Sequence, residues 1–372
     1  MTRRPGWISL QEALPLVNFY ARPEDRGAHL KRFGVGLTLC SIAVVLTLLE
    51  PLVRSTLGGF GEQASSVEPI ELGVRTTGAP ENLCQLDAYA ERVGGMPAIV
   101  MWYQDWADQS VTPFDAEVMS AITDRGATPL ITWEPWDPTL GIEQPRFSLA
   151  AIGRGDHDDY IRRSARDAAA WGKPFYLRFG HEMNGSWYPW GRDVNGNRPG
   201  EFAAAWQRIV GIFWDEGTSN AIWVWSPNID YLDRYPFRDL YPGDGWVDWV
   251  GLDGYNWGDS SDSGWQSLSE VFGESYKTVT DLTDKPVMIA ETASTEAGGD
   301  KADWIRQGLL DDLPTRMPRV TAVIWFDRDK EQDWRVNSSE ESLAAYQDVV
   351  ASPLYRQGNV PGYVTDAGAT VD

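Results

Sequence analysis

Two glutamates stand where a charge is costly to keep. Glu182 follows the apolar run 175–179 by three residues, and Glu291 comes directly after the apolar run 287–290. A carboxylate beside buried strand residues is expensive unless it is paired or used. Two such carboxyls on one scaffold can cleave a glycosidic bond without a cofactor. One protonates the leaving oxygen and, in a retaining enzyme, the other attacks the sugar from about 5–5.5 Å away. Glu134 and Asp253 occupy comparable positions and rival this pair. Glu134, set between Trp133 and Trp136 and followed by Pro135, suits orientation or binding better than reaction.

Other chemistries fail on residue counts. The chain has three histidines, His29, His157 and His181, so a three-histidine metal site and most Ser–His–Asp arrangements are unsupported. His181-Glu182 could open a zinc-binding His-Glu-x-x-His helix, but position 185 is Gly. No G-x-S-x-G elbow and no phosphate-binding Gly loop occurs. The stretch from Asp193 to Asn197 begins like a calcium loop and lacks its later ligands, so it reads as a turn. The acidic segment Asp327, Asp329, Glu331, Asp333 reads as a solvated loop paired with Arg328 and Arg335. Neither metal nor cofactor is expected. Asn184-Gly-Ser186 fits a glycosylation pattern, but a glycan there would obstruct the glutamates, so the match reads as chance.

The elements that would position these residues alternate strand and helix eight times. Short apolar runs at 71–75, 98–103, 128–132, 175–179, 221–225, 250–252, 287–290 and 320–325 lack strict alternation, as strands buried on both faces do. Helical patterns at 81–93, 114–125, 157–171, 202–214, 267–282, 302–310 and 340–350 separate or follow them, several ending in Gly. The connection from the fifth strand to the sixth, 226–249, is mostly irregular with only a weak helix at its centre. The pattern predicts an α/β fold, a (β/α)8 TIM barrel over residues 70–352 with a C-terminal tail at 353–372. An open doubly wound sheet is the alternative, but the first strand is not followed by a Gly-rich loop.

Barrel sites are built at the C-terminal ends of the strands. Those ends carry carboxylates, amides and indoles, among them Trp133, Arg178, His181, Asn184, Trp187, Tyr255, Trp257 and Trp325. Sugars offer apolar C–H faces to aromatic rings and hydroxyls to polar groups, so a sugar ligand accounts for this mixture.

The chain of 372 residues has 54 acidic against 32 basic residues, a net charge of −22, and 19 tryptophans. So acidic a chain is a poor nucleic-acid binder. Two cysteines exclude a disulfide scaffold. Residues 33–49 carry no charge, and Lys31 and Arg32 precede them. This predicts a basic cytoplasmic segment at 1–32, a transmembrane signal anchor at 33–53 and a tether at 54–69. The barrel would then lie outside the cell, held by a single-pass membrane helix. No obligate protein partner is evident.

The stretch Tyr176-Leu-Arg-Phe-Gly-His-Glu-Met-Asn-Gly-Ser-Trp-Tyr-Pro-Trp190 resembles the signature of glycoside hydrolase family 26. The stretches Gly251-Leu-Asp-Gly-Tyr-Asn-Trp257, Met288-Ile-Ala-Glu-Thr292 and Ile324-Trp-Phe-Asp327 resemble its later strands. The resemblance runs from about Leu72 to Tyr346. It implies a retaining endo-β-glycosidase, with Glu182 as acid/base, Glu291 as nucleophile, and Arg178, His181, Trp187, Tyr255 and Trp325 around the reacting sugar. Trp187 or Trp325 would supply a platform under a ring. β-1,4-Mannan is the leading substrate, with β-1,3-1,4-glucan or xylan as alternatives. One departure bears on that choice: mannan-active members often carry a further His on an early strand end, and Thr132-Trp133-Glu134-Pro135-Trp136 has none. A non-hydrolytic glycan-binding or exopolysaccharide-assembly protein is the alternative of another class.

Overall fold

The structure, a computed structural model, describes residues 69–110, 114–230 and 234–358. Eight strands form the barrel: β1 (Ile70–Thr76), β2 (Ile99–Asp105), β3 (Thr128–Glu134), β4 (Phe175–Phe179), β5 (Ala221–Trp225), β6 (Trp249–Asp253), β7 (Val287–Thr292) and β8 (Val320–Asp327). Each pairs in parallel with the next, and β1 pairs with both β8 and β2, which closes the sheet. All eight expected strands are present, most of them longer at one or both ends than their apolar runs.

The side chains alternate along each strand, and this divides them into two layers. Ile99, Met101, Leu130, Tyr176, Val224, Met288, Ala290, Ala322 and Ile324 fill the barrel interior. Residues of opposite parity, such as Ile131, Leu177, Trp223, Val250 and Val323, join the larger core between strands and helices. The interior is therefore packed at its waist, and polar side chains collect at its mouth.

The surrounding helices are α1 (Leu83–Val93), α2 (Ala116–Thr123), α3 (Leu149–Arg154), α4 (Asp158–Trp171), α5 (Glu201–Asp215), α6 (Leu268–Leu282), α7 (Lys301–Arg306), α8 (Leu313–Arg316) and α9 (Glu340–Ala351). Their ends follow from local chemistry. A capping box of Ser267 and Glu270 starts α6, and left-handed Gly94 ends α1. The β5–β6 connection is irregular as expected, with a 3-10 turn at Arg238–Leu240 among its described residues.

Two local features differ from the sequence reading. α3 adds a short helix, capped by Ser148, before the expected one. The helix expected at 302–310 breaks into α7, a π-helical turn at Gln307–Asp312, and α8. Pro314 cannot donate an i→i−4 hydrogen bond and its ring crowds the carbonyl one turn earlier, so the chain winds wider there. After α9 the chain forms one more short strand, β9 (Tyr355–Arg356), alongside β1. The expected transmembrane anchor at 33–53 lies outside the described residues. Among the described residues no helix is long and apolar enough to cross a membrane.

Candidate active site

Arg178 is the second inward position of β4, after Tyr176, level with Thr132 of β3. It is fully buried, and its guanidinium lies 3.4 Å from Asp253 Oδ2 on β6. Asp253 also accepts from the Ser226 hydroxyl at 2.8 Å. Beyond β4 the backbone turns sharply. Gly180 and Glu182 both have positive φ, 52° and 48°, and Glu182 is not a glycine. Such a conformation costs on the order of 1–3 kcal/mol and persists only where the surroundings enforce it. Here the Glu182 N–H donates to the Ser226 carbonyl and the Glu182 carbonyl accepts from Gly185 N–H.

The Glu182 carboxylate is fully buried. Its Oε2 accepts the Trp187 indole N–H at 2.5 Å, and its Oε1 accepts the Asn228 amide. The indole reaches Glu182 because it lies against Gly185, where an added Cβ would fall 2.3 Å from the ring. That close approach explains the Gly in His-Glu-Met-Asn-Gly-Ser-Trp. Burial pushes the Glu182 carboxyl up to about 8, opposed by Asn228, Trp187 and the charge of Arg178.

Glu291 arrives by a different device. Met288 and Ala290 face the barrel interior, so simple alternation would turn Glu291 toward the helices. The register between β6 and β7 shifts by one, from Leu252↔Ile289 to Asp253↔Glu291. This β-bulge re-aims the side chain. Glu291 is fully buried, takes the Tyr255 hydroxyl at 2.7 Å on Oε2, and takes the Tyr103 hydroxyl on Oε1. Burial pushes its carboxyl up, Arg178 pulls it down, and the nearby charges of Asp253 and Glu182 push it up again. One guanidinium thus faces three buried carboxyls, which cannot all ionise together. Two phenolic donors favour charge on Glu291 against its burial, as Asn228 and Trp187 do on Glu182. Glu182, raised to about 8, keeps its proton at neutral pH.

Glu134 belongs to the same cluster, with its carboxyl pushed up to about 8 by burial. His181 Nε2 lies 3.7 Å from Glu134 Oε1, and the His181 ring is enclosed by Tyr188 and Trp190, 4.5 and 5.3 Å away. Burial and the Arg178 charge hold His181 well below the usual histidine range, so it is neutral. Trp257 is half-buried at the mouth, edge-on to Trp334 at 4.9 Å and 6.0 Å from Tyr255.

Three expected substrate contacts are corrected. Trp133 is buried among Trp106, Tyr160 and Phe213, in the layer between sheet and helices. Trp325 is also buried there, against Trp304 and Tyr346, with its N–H on the Trp334 carbonyl at 2.8 Å. Both residues have outward parity, as their strand neighbours Ile131 and Val323 do. Asn184 is tied up by backbone. It donates to the Asn228 and Tyr235 carbonyls at 2.9 and 2.7 Å and accepts from Asn228 N–H at 2.9 Å. It therefore holds the loop that presents Asn228 to Glu182.

Tyr103 and Asn228 were not among the expected site residues. Tyr103 could have been found from its parity with Ile99 and Met101, which face the interior. Asn228 stands two residues beyond Ser226, past the end of β5, but which carboxylate it would reach depends on loop geometry that spacing does not reveal.

The fold and this buried set of carboxyls define a closed parallel (β/α)8 barrel with a polar, catalytic-type mouth. Residues 159–307 match the family model for glycosyl hydrolase family 26. The matched stretch contains both Glu182 and Glu291 and agrees with the signature around Glu182. Endoglucanase H of Acetivibrio thermocellus is 37% identical over 274 residues, which cover 72% of this chain and 29% of that protein. A mannan endo-1,4-β-mannosidase of Bacillus subtilis is 34% identical over 183 residues, 48% of this chain and 44% of that protein. The chain thus spans less than half the length of either relative. Among solved structures, a Bacillus subtilis mannanase superposes with a TM-score of 0.59 at 17% identity, covering 82% of this chain and 91% of that one. A β-mannanase from a symbiotic protist of the termite Reticulitermes speratus gives 0.57 at 16% identity, covering 80% and 91%. At such identities these two speak to the fold.

Proposed function

We propose that the protein is a retaining endo-β-glycosidase acting on a β-1,4-mannan backbone. One observation carries the reading: Glu182 and Glu291, buried at the ends of β4 and β7, act on each other's charge within one cluster around Arg178, and each is held by its own pair of hydrogen-bond donors. Glu182, protonated at neutral pH, gives its proton to the leaving glycosidic oxygen. Glu291, charged and held by Tyr255 and Tyr103, attacks the anomeric carbon and forms a glycosyl ester. Glu182, now ionised, takes a proton from water, which displaces Glu291 and regenerates both groups. Arg178 stabilises the charge that passes between the two carboxyls. His181, Trp187 and Trp257 line the path of the sugar. The family match and the mannosidase relative support the reading.

A β-glucan backbone is the second reading. It is favoured by the similarity to Endoglucanase H, which extends over more of this chain, and by the absence of a His at the end of β3. Incubating the chain with galactomannan, glucomannan, mixed-linkage β-glucan and xylan, then sizing the products, chooses between them. Glu291→Ala should abolish turnover of whichever polymer is cleaved, and undiminished turnover would sink the mechanism.

We further propose that residues 33–53 anchor the chain in a membrane with the barrel outside. The support is the uncharged run 33–49 preceded by Lys31 and Arg32. Extraction of cell membranes at alkaline pH tests it: a chain that leaves with the soluble fraction has no anchor.

A further inference from the structure

At one edge of the barrel mouth, positive charge gathers without partners, although the chain as a whole carries −22. The edge is made by the adjacent ends of β8, β1 and β2. Glu71, Gly73 and Arg75 share one parity on β1, and a Cβ at Gly73 would meet Ile324 and Ile99 of the barrel interior. Arg75 therefore turns to the mouth, where its guanidinium lies 5.4 Å from the centre of the Tyr103 ring. One of its Nη atoms donates to the Thr76 carbonyl, while its buried Nε–H has no acceptor among the described residues.

Phe326 on β8 pairs with Arg75, and Arg328 follows two residues later. The acidic loop, expected to pair with Arg328, forms no ion pair with it. Asp333 and Asp329 pair with Arg335 at 2.5 and 3.6 Å, and Glu331 pairs with Lys330 at 2.8 Å. Asp327 accepts the Val336 N–H at 2.8 Å and the Thr76 hydroxyl at 3.4 Å. Among the described residues neither Arg75 nor Arg328 has a carboxylate within ion-pair distance. Arg328 is half-buried, and its charged form is opposed by burial and by Arg75 and favoured, less strongly, by Tyr103, Asp327 and Glu331. Two guanidiniums thus lie near the tyrosine that holds Glu291, and among the described residues neither forms an ion pair.

We infer that this edge is a subsite for a carboxylate carried by the glycan, so that the substrate is an acidic polysaccharide with uronic-acid residues near the cleaved bond. The inference rests on the glycosidase reading of the same mouth and gives that reading its substrate class. A planar carboxylate matches the fork of a guanidinium, and Arg75 and Arg328 come from neighbouring strand ends that can converge on one such group. Lys330, in the same loop, extends the positive field, since its charge acts on Glu134, His181 and Glu182. A neutral mannan or glucan would leave both guanidiniums half-desolvated and unpaired, which is a cost.

The test compares two probes that differ in one charge and one methyl group: mannan oligosaccharides bearing glucuronic acid, and their methyl esters. The same pair is made on carboxymethylated β-glucan oligosaccharides to cover the other backbone. The full chain should cleave the acids with kcat/KM about tenfold above the esters at low salt, since hydrogen bonds to charged groups are the strong ones. That ratio should fall toward one in roughly 0.5 M salt and in Arg328→Gln, and Arg328→Lys should restore part of it. Equal cleavage of acid and ester by the parent chain would overturn the inference and leave the glycosidase reading intact. If neither probe is cleaved, the glycosidase reading fails. Calorimetric binding then decides the subsite: tighter binding of the acid retains it, and equal binding removes it.

Discussion

The Tyr255 hydroxyl donates to Glu291 Oε2 at 2.7 Å, across the step in register that turns Glu291 into the barrel. Tyr103 holds the other oxygen from β2. The bulge and the two phenols together decide where Glu291 points and in which charge state. Tyr255→Phe keeps the ring against Trp334, 4.7 Å away, and deletes one donor. A hydrogen bond to a charged group is worth about 1.5–3 kcal/mol, so kcat/KM should fall on the order of tenfold to a hundredfold with the fold intact. The lost donor stabilised the ionised form. The acid limb of the pH profile should therefore move to higher pH, and a limb that stays in place would separate Tyr255 from the charge on Glu291.

Glu182 should set the alkaline limb. Its carboxyl is raised to about 8, mainly by burial, and it acts as an acid only while protonated. Activity should accordingly decline as pH rises through about 8, reported by kcat/KM for the free enzyme. Trp187 donates to the ionised form, so Trp187→Phe should shift that limb upward as well as slow the reaction. Glu182→Gln should remove the limb together with most of the rate.

How much of this was legible in the sequence depends on which physical regularity governs each residue. The eight strands were visible because parallel strands buried on both faces read as continuous apolar runs. Glu182 and Glu291 were visible because a carboxylate at such a position is costly. Trp133 and Trp325 were misplaced because their position along the strand was read without its two-residue alternation, which sends both toward the helices. The same alternation would have exposed Tyr103 and Arg75. It would also have failed at Glu291, where the bulge overrides it. Asn184, Asn228 and the unpaired Arg328 depend on loop contacts between residues up to 51 positions apart, for which spacing carries no signal.

The tryptophans should divide accordingly under mutation. Trp325 is fully buried between Trp304 and Tyr346, so Trp325→Ala should destabilise the barrel by about 3–5 kcal/mol. The folded fraction should retain its KM. Trp257 is half-buried at the mouth, and Trp257→Ala should raise KM several-fold for a smaller loss of stability. Thermal denaturation alongside steady-state kinetics on both variants checks the division. A raised KM in folded Trp325→Ala would return that residue to the sugar platform.

Glu134 gives a prediction about stability alone. Its carboxyl is raised from 4.5 to about 8 because burial disfavours the charge. Between those values the folded chain keeps a proton that the unfolded chain has released. Stability is therefore lost as pH rises from about 4.5 to about 8 and levels off above. Glu134→Gln cannot ionise and can still accept the Trp136 indole N–H, which lies 3.3 Å from Glu134 Oε2. The variant should match the parent near pH 4 and exceed it at pH 8 by on the order of 1–2 kcal/mol, allowing for relaxation around the site. Urea unfolding of both chains at the two pH values measures the difference. A variant less stable than the parent at pH 8 would mean that Glu134 is held ionised, paired with His181 in its charged form.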